Sequence, residues 1–300
     1  MIVMMVPQGA ALEVDRVAEV AQAAGADVIE TRAVPVPDTL FDRRTVHNLL
    51  VSGADTDRLS SRLRDLSDQY GVDIALQTRA VRCQSYRLAV FDMDSTLIDC
   101  EVIDELATKA GVGEAVAEIT AQAMRGELDF DESYRTRLAL LEGLDARAVN
   151  ELADRLPVKE GLREMTTTLK AQGLKLAIFS GGFMPIAERL QVDYGFDEVV
   201  ANTLEIASGK VTGRVVPPIV NREHKAAALQ ALATRLGIGV DACIAVGDGA
   251  NDLDMMAMAG LGVAFHAKPA VRAASPIEVT HCGLDGVCYL LGSEGEFADT

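Results

Sequence analysis

Four short runs of this chain carry no polar side chain at any position: LAVF (Leu88–Phe91), LAIF (Leu176–Phe179), CIAV (Cys243–Val246) and LGVAF (Leu261–Phe265). A strand with one wet face alternates apolar and polar residues. A strand without alternation is buried on both faces, as in a parallel sheet covered by helices. Segments with helical spacing lie between the runs: residues 160–173, 184–195 and 221–237. This grammar predicts an α/β, Rossmann-like doubly wound sheet for residues 86–300. The stretch at about 97–157, between the first two strands, is too long for a simple crossover and almost wholly helical in pattern. It is expected to form a small helical cap inserted over the sheet edge.

Residues 1–85 follow a different order. IVMMV is a short strand, and ALEVDRVAEVAQAAGA has helical spacing up to Gly25. DVIETRAVPV and RRTVHNLLVSG read as strands separated by the turn-prone PDTLFD. A capped helix follows, with Leu59, Leu63 and Leu66 on one face and a stop at Gly71. VDIALQTRAV closes the unit as a strand. The order βαββαβ is that of a ferredoxin-like α+β sandwich. It resembles ACT modules, which sense amino acids, in element order and length, so a regulatory or dimerisation role is expected. Its edge strands could pair across a two-fold axis into a homodimer.

Composition limits the partners. With 45 acidic and 28 basic residues the chain carries a formal charge of −17, which repels nucleic acid and anionic membranes. An anionic ligand would need local cations or a metal to overcome that field. The five cysteines are scattered, without a Cys-x-x-Cys pair, and fit reduced thiols in a cytoplasmic protein. Neither a signal peptide nor a membrane span is expected, since no run approaches ~20 apolar residues.

The chemistry gathers where the buried strands end. Asp92-Met93-Asp94 follows the first, Ser180-Gly181-Gly182 the second, and Gly247-Asp248-Gly249-Ala250-Asn251-Asp252 the third. In an open parallel sheet these sets share the C-terminal edge, where such folds bind ligands. Asp92, Asp94, Asp248 and Asp252 would then converge and repel one another unless a cation sits among them. A hard divalent ion with oxygen ligands answers this, and Mg2+ fits best because it takes few carboxylates and bridges to phosphate. The Ser180 hydroxyl, the free N–H groups of the glycines and the Lys225 ammonium complete a socket for a phosphoryl group. Two aspartates remain for chemistry, one to attack phosphorus and one to handle the proton of the leaving oxygen.

DMDSTLID, the strand-end SGG, Lys225 and GDGANDLDM resemble the four motifs of the haloacid dehalogenase superfamily of phosphatases. Within it, residues 87 to about 290 are similar to the phosphoserine phosphatase family, largely through AMRGELDFDESYRTRL in the cap. The resemblance implies Asp92 as nucleophile and Asp94 as general acid and base. It implies Mg2+ held by Asp92, the Asp94 backbone carbonyl and Asp248, with Asp252 supporting from behind. Ser180, Gly181 and Lys225 would bind phosphate. Glu101 would take the substrate ammonium and Arg137 its carboxylate, with Met124 and Phe130 lining the lid and Asn251 orienting neighbouring groups. The substrate would be O-phospho-L-serine, a small molecule.

Plainer readings compete residue by residue. Taken alone, Lys225 is a surface lysine in a polar stretch, Met124 a core residue, and Arg137 a partner for Glu101 or Glu132. Asp99 is expected to interact with a helix dipole and Cys100 to pack in the cap. Two other functions also compete: the same core acting on another small phosphomonoester such as phosphohomoserine, or transferring phosphoryl to an alcohol, and a sensor centred on residues 1–85.

Overall fold

In the computed structural model, which describes residues 1–34, 44–125 and 127–292, the chain builds two sheets. The first contains β1 (Ile2–Val6), β2 (Asp27–Ala33), β3 (Thr45–Ser52) and β4 (Asp73–Leu76), backed by α1 (Val14–Ala23) and α2 (Thr56–Tyr70). Its spatial order, β2-β3-β1-β4, is antiparallel throughout, the ferredoxin-like arrangement expected from the sequence. The Asp55 side chain caps α2 by accepting from the Arg58 N–H at 3.2 Å, and Gly71 ends it at a φ of 64°.

Two details differ from the expectation. The last strand stops at Leu76, and residues 79–82 instead form the short helix α3 (Arg79–Arg82), capped by Thr78. The turn expected over 37–42 lies outside the described residues.

Strand β1 is apolar because both of its faces are covered. Ile2, Met4 and Val6 meet Val17, Ala21, Leu59 and Leu63 of the two helices. Val3 and Met5, pointing the other way, join the large core of the second sheet. Polar contacts fix the same seam. Buried Asp73 on β4 accepts from the backbone N–H groups of Thr280 (2.6 Å), His281 (3.1 Å) and Cys282 (2.7 Å). Arg44 and Asp285 form a buried ion pair across it.

The second sheet comprises β5 (Leu88–Phe91), β6 (Lys175–Phe183), β7 (Glu198–Ala207), β8 (Lys210–Val216), β9 (Cys243–Gly247), β10 (Leu261–Phe265) and β11 (Glu278–Val279). The order is β11-β10-β9-β5-β6-β7-β8, parallel except for the β7–β8 hairpin. That hairpin was not expected from the sequence. Its loop, Ser208-Gly209, has φ of 51° and 76°, the double left-handed geometry of a tight two-residue hairpin turn. The covering helices are α8 (Leu162–Ala171), α9 (Met184–Tyr194), α10 (Arg222–Arg235), α11 (Leu253–Met258), α12 (Pro269–Ala274) and α13 (Gly286–Tyr289).

The insert folds as the sequence indicates, into α4 (Val102–Ala110), α5 (Gly113–Met124), α6 (Phe130–Ala139) and α7 (Arg147–Ala153). Helix α6 starts in a capping box, with Asp129 and Glu132 each accepting from the other's backbone N–H.

Candidate active site

Strand β5 is where the sheet's winding reverses. Its chain neighbour β6 lies on one side, and β9 on the other. A crevice forms outside the strand ends at such a point. Adjacent strands lie about 4.8 Å apart, so the residues after β5 and β9 and at the end of β6 are brought together. One carboxyl oxygen from each of Asp92, Asp248 and Asp252 lies within 4.8 Å of the other two, and all three residues are buried. Asp92 stays in register with β9 through its N–H to the Val246 carbonyl at 2.9 Å.

Lys225 is wholly buried and not a surface residue, contrary to its plainer reading. Its Nζ lies 2.7 Å from Asp92 Oδ1 and 2.7 Å from Asp252 Oδ1. The other Asp252 oxygen accepts the Gly249 N–H at 3.0 Å, so both oxygens of Asp252 are engaged by protein. Asp92 takes Lys225 and the Met93 N–H (2.7 Å) on the same oxygen, Oδ1. Asp248 accepts from buried Thr96 at 3.1 Å, and Lys268 Nζ stands 3.8 Å from its other oxygen.

This crowding shifts the titrations. Burial, then the charges of Asp252 and Asp248, push the Asp92 carboxyl up to about 8 despite Lys225. Asp248 rises to about 6, first from burial and then from Asp252. Burial and Glu101 hold Asp94 well above the ordinary carboxyl range. One Asp94 oxygen accepts the Val102 N–H at the start of α4 (3.2 Å), while the other, Oδ1, is buried with no hydrogen-bond partner among the described residues. An orphaned buried carboxyl oxygen costs free energy unless a ligand meets it. Four carboxyl groups, hard oxygen donors, gathered about buried Lys225 with Lys268 at the rim, suit a hard divalent cation.

The Ser180-Gly181-Gly182 stretch bulges from the β6–β7 ladder, whose register shifts between Ser180 and Phe183. Ser180 is buried, and its Oγ accepts the Gly182 N–H at 2.9 Å, which leaves the hydroxyl proton for a ligand. A Cβ on Gly182 would stand 3.0 Å from Asp94 Oδ2, so glycine lets this backbone approach the carboxyl group. Asn251 is half-buried in the 3-10 turn at 250–252, beside Gly249.

The cap brings Glu101 and Phe130 to the loops at this mouth. Glu101 Oε1 accepts the Ser95 hydroxyl at 2.7 Å, and Ser95 holds a left-handed backbone at φ 62°. Arg137 pairs with neither Glu101 nor Glu132. Its Nε donates to the Ser133 carbonyl at 3.3 Å. Burial lowers the Arg137 pKa, against the opposing charges of Asp104, Glu101 and Asp94. The Phe130 ring lies over Gly181, 3.2 Å from where a Cβ would stand. Met124 ends α5, and its side chain lies outside the described residues. Asp99 pairs with Lys159 instead of serving a helix start, and Cys100 packs against the core as expected.

The model of the haloacid dehalogenase-like hydrolases matches residues 86–260. The chain belongs to that family. Among curated relatives, a phosphoserine phosphatase from Streptomyces coelicolor is 46% identical over 259 residues, 85% of this chain and 63% of the relative. The chain spans 63% and 57% of the lengths of two such relatives. Among solved structures, a haloacid dehalogenase family hydrolase from Salmonella enterica serovar Typhi superposes with a TM-score of 0.85 at 31% identity, over 99% of both chains. A probable phosphoserine phosphatase from Vibrio cholerae, in unliganded form, gives 0.77 at 38%, over 97% of this chain and 85% of that one. Phosphatases of the haloacid dehalogenase family are metal-dependent, and the acidic triad here provides a place for the ion.

Several supports of this hydrolase site were not anticipated. Thr96 and Ser95 orient two of the acids. Buried Asn202 on β7 donates to the Gly181 carbonyl at 2.7 Å and accepts the Val220 N–H at 2.8 Å, tying the bulge to the segment that leads into α10. Lys268 was also missed. Ser95 and Thr96 lie within DMDSTLID, but nothing in that run says which acid each serves; Asn202 and Lys268 carry no local pattern, because their partners are distant in sequence.

Proposed function

We propose that this hydrolase cleaves O-phospho-L-serine to L-serine and phosphate in the presence of Mg2+, the last step of serine biosynthesis. The observation that carries the reading is the pair Glu101 and Arg137, set on the cap close enough to Asp94 for their charges to act on it and on each other. An anion and a cation at the mouth of a phosphoryl socket match an amino acid's ammonium and carboxylate. The names of the relatives support the same substrate.

In this reading an Asp92 oxygen attacks phosphorus, and the bond from phosphorus to the serine oxygen breaks with its electron pair going to that oxygen. Asp94, whose raised pKa favours the protonated form, delivers the proton and serine leaves. The Asp94 carboxylate then takes a proton from a water whose oxygen attacks phosphorus. The Asp92–phosphorus bond breaks, phosphate departs, and Asp94 is protonated again. Ser180, the Gly181 N–H and Lys225 stabilise the transferring group's oxygens. Asp92, Asp248 and the Asp94 carbonyl would hold Mg2+, which supplies positive charge to offset the acids and the phosphoryl oxygens, while Asp252 holds Lys225 in place. Phe130 and Met124 would close over the substrate, and Asn251 would orient the groups beneath it.

The N-terminal sheet belongs to the same proposal as a regulatory or dimerisation module of a cytoplasmic enzyme. Among the described residues, no helix is long and apolar enough to cross a membrane.

Phosphate release from a panel of phosphomonoesters, with Mg2+ and with excess chelator, tests the function. O-phosphoserine should exceed phosphothreonine, phosphohomoserine and sugar phosphates, and chelation should abolish turnover. A metal-dependent activity that peaks on another ester would leave the Asp92 chemistry standing and remove the role given to Glu101 and Arg137.

A further inference from the structure

Cap and sheet are joined beside the site by one side chain that bonds to both. Asn221 precedes α10, the helix that carries Lys225, and caps it by accepting the His224 N–H on Oδ1 at 3.0 Å. The other end of the same amide, Nδ2, donates to Asp131 Oδ1 on the cap at 3.1 Å. Asp131 sits in the first turn of α6, next to Phe130, which covers Gly181, on the helix that also carries Arg137. The Val220 carbonyl, next to Asn221, is 3.4 Å from the same Cβ position on Gly181 that Phe130 crowds. Asn202 fixes both Val220 and Gly181 from below. The seam between α6 and the phosphoryl socket therefore has a fixed floor and, among the described residues, one side-chain hydrogen bond across it, from Asn221 to Asp131.

We infer that Asn221 is a positioning residue that sets substrate specificity. By holding Asp131 it keeps α6, and with it Phe130 and Arg137, seated over the phosphoryl socket. A substrate that uses Arg137 depends on this seating, whereas an aryl phosphate, without an amino acid's charges, depends mainly on the socket. The chemistry of the clasp is specific. An amide offers a donor to the cap and an acceptor to the helix at once, which an aspartate carboxylate, an acceptor only, could not do in the same place. The inference rests on the substrate reading above.

The test is N221D. Aspartate caps a helix as well as asparagine does, so α10 should keep its cap and the variant should fold. The donor to the cap is lost, and two half-exposed carboxylates face each other across the seam. We expect kcat/KM for O-phosphoserine to fall about tenfold, mainly through KM, with less than about a twofold change for p-nitrophenyl phosphate. The defect should shrink in high salt, because the repulsion is screened. The double variant N221D/D131N reverses the hydrogen bond and should recover most of the loss. Unchanged kinetics in N221D, or an equal loss on both substrates that D131N does not repair, would overturn the inference. A parent enzyme with no preference for O-phosphoserine over p-nitrophenyl phosphate would overturn the substrate reading, and this inference with it.

Discussion

Lys225 Nζ lies 2.7 Å from Asp92 Oδ1, and the lysine is shut away from solvent completely. A buried ammonium persists only where carboxylates surround it, and here Asp252 shares it at the same distance. The pair offsets the charge of Asp92, the attacking group in the proposed mechanism, and it joins α10 to the end of β5. Substituting Lys225 by Met should destabilise the fold by about 3 kcal/mol, because two buried carboxyl groups lose their counter-charge. Activity should fall at least about a hundredfold even where the variant remains folded. Chemical denaturation and initial rates on the same preparation would check both.

Arg137 should show a different signature. Its replacement by Ala removes a cation from the cap and leaves the socket intact. KM for O-phosphoserine should rise at least about tenfold, with little change for an aryl phosphate. Equal effects on both substrates would remove the carboxylate clamp from the account.

The acid cluster predicts how metal and pH act together on stability. Burial and the neighbouring carboxylates push Asp248 up to about 6 and Asp92 up to about 8 in the folded chain, above their ordinary value of 3.8. A carboxyl group raised by folding binds its proton more tightly when folded. Its contribution to stability is complete below the unfolded value and is lost as pH rises through the folded one. The thermal midpoint of metal-free protein should therefore decline between about pH 4 and pH 8 on account of these groups. Added Mg2+ competes with those protons, so its stabilising shift should be larger at pH 8 than at pH 5.5. Scanning calorimetry with and without Mg2+ would show it, and a shift independent of pH would contradict the assignment.

Asp73 predicts that the N-terminal sheet is mechanically part of the enzyme. It is almost fully buried and accepts from three consecutive backbone N–H groups, at Thr280, His281 and Cys282. Replacement by Ala orphans those donors and should destabilise the protein by about 3 kcal/mol. Turnover well below the new midpoint should stay near that of the parent, because no atom of Asp73 reaches the site. Denaturation curves together with kcat would separate these effects.

The carboxylates were legible in the sequence because each follows a strand without alternation, and a charge at the end of such a strand has few structural uses. The parallel order followed from the same runs. The β7–β8 hairpin went unread because its strands alternate only weakly, although Ser208-Gly209 marked the turn. Strand β1 shows the opposite lesson. Its apolar run reads only as a short strand, yet both its faces are covered, and the second cover, the core of the other sheet, lies far away in sequence. Asn202 and Asn221 carry no local signature at all. An asparagine in a strand or at a helix start reads as ordinary, and only the fold reveals that both ends of its amide are in use. Lys225 lies between, since motif order singled it out while its burial came from packing.

The central claim is that Asp92 becomes covalently phosphorylated. The most direct measurement is mass analysis of enzyme quenched in acid during turnover of O-phosphoserine with Mg2+, followed by digestion. The account predicts one added phosphoryl group, on the peptide that contains Asp92, and none in an Asp92→Asn variant. A phosphoryl group on any other residue, or an Asp92→Asn variant that turns over like the parent, would contradict it.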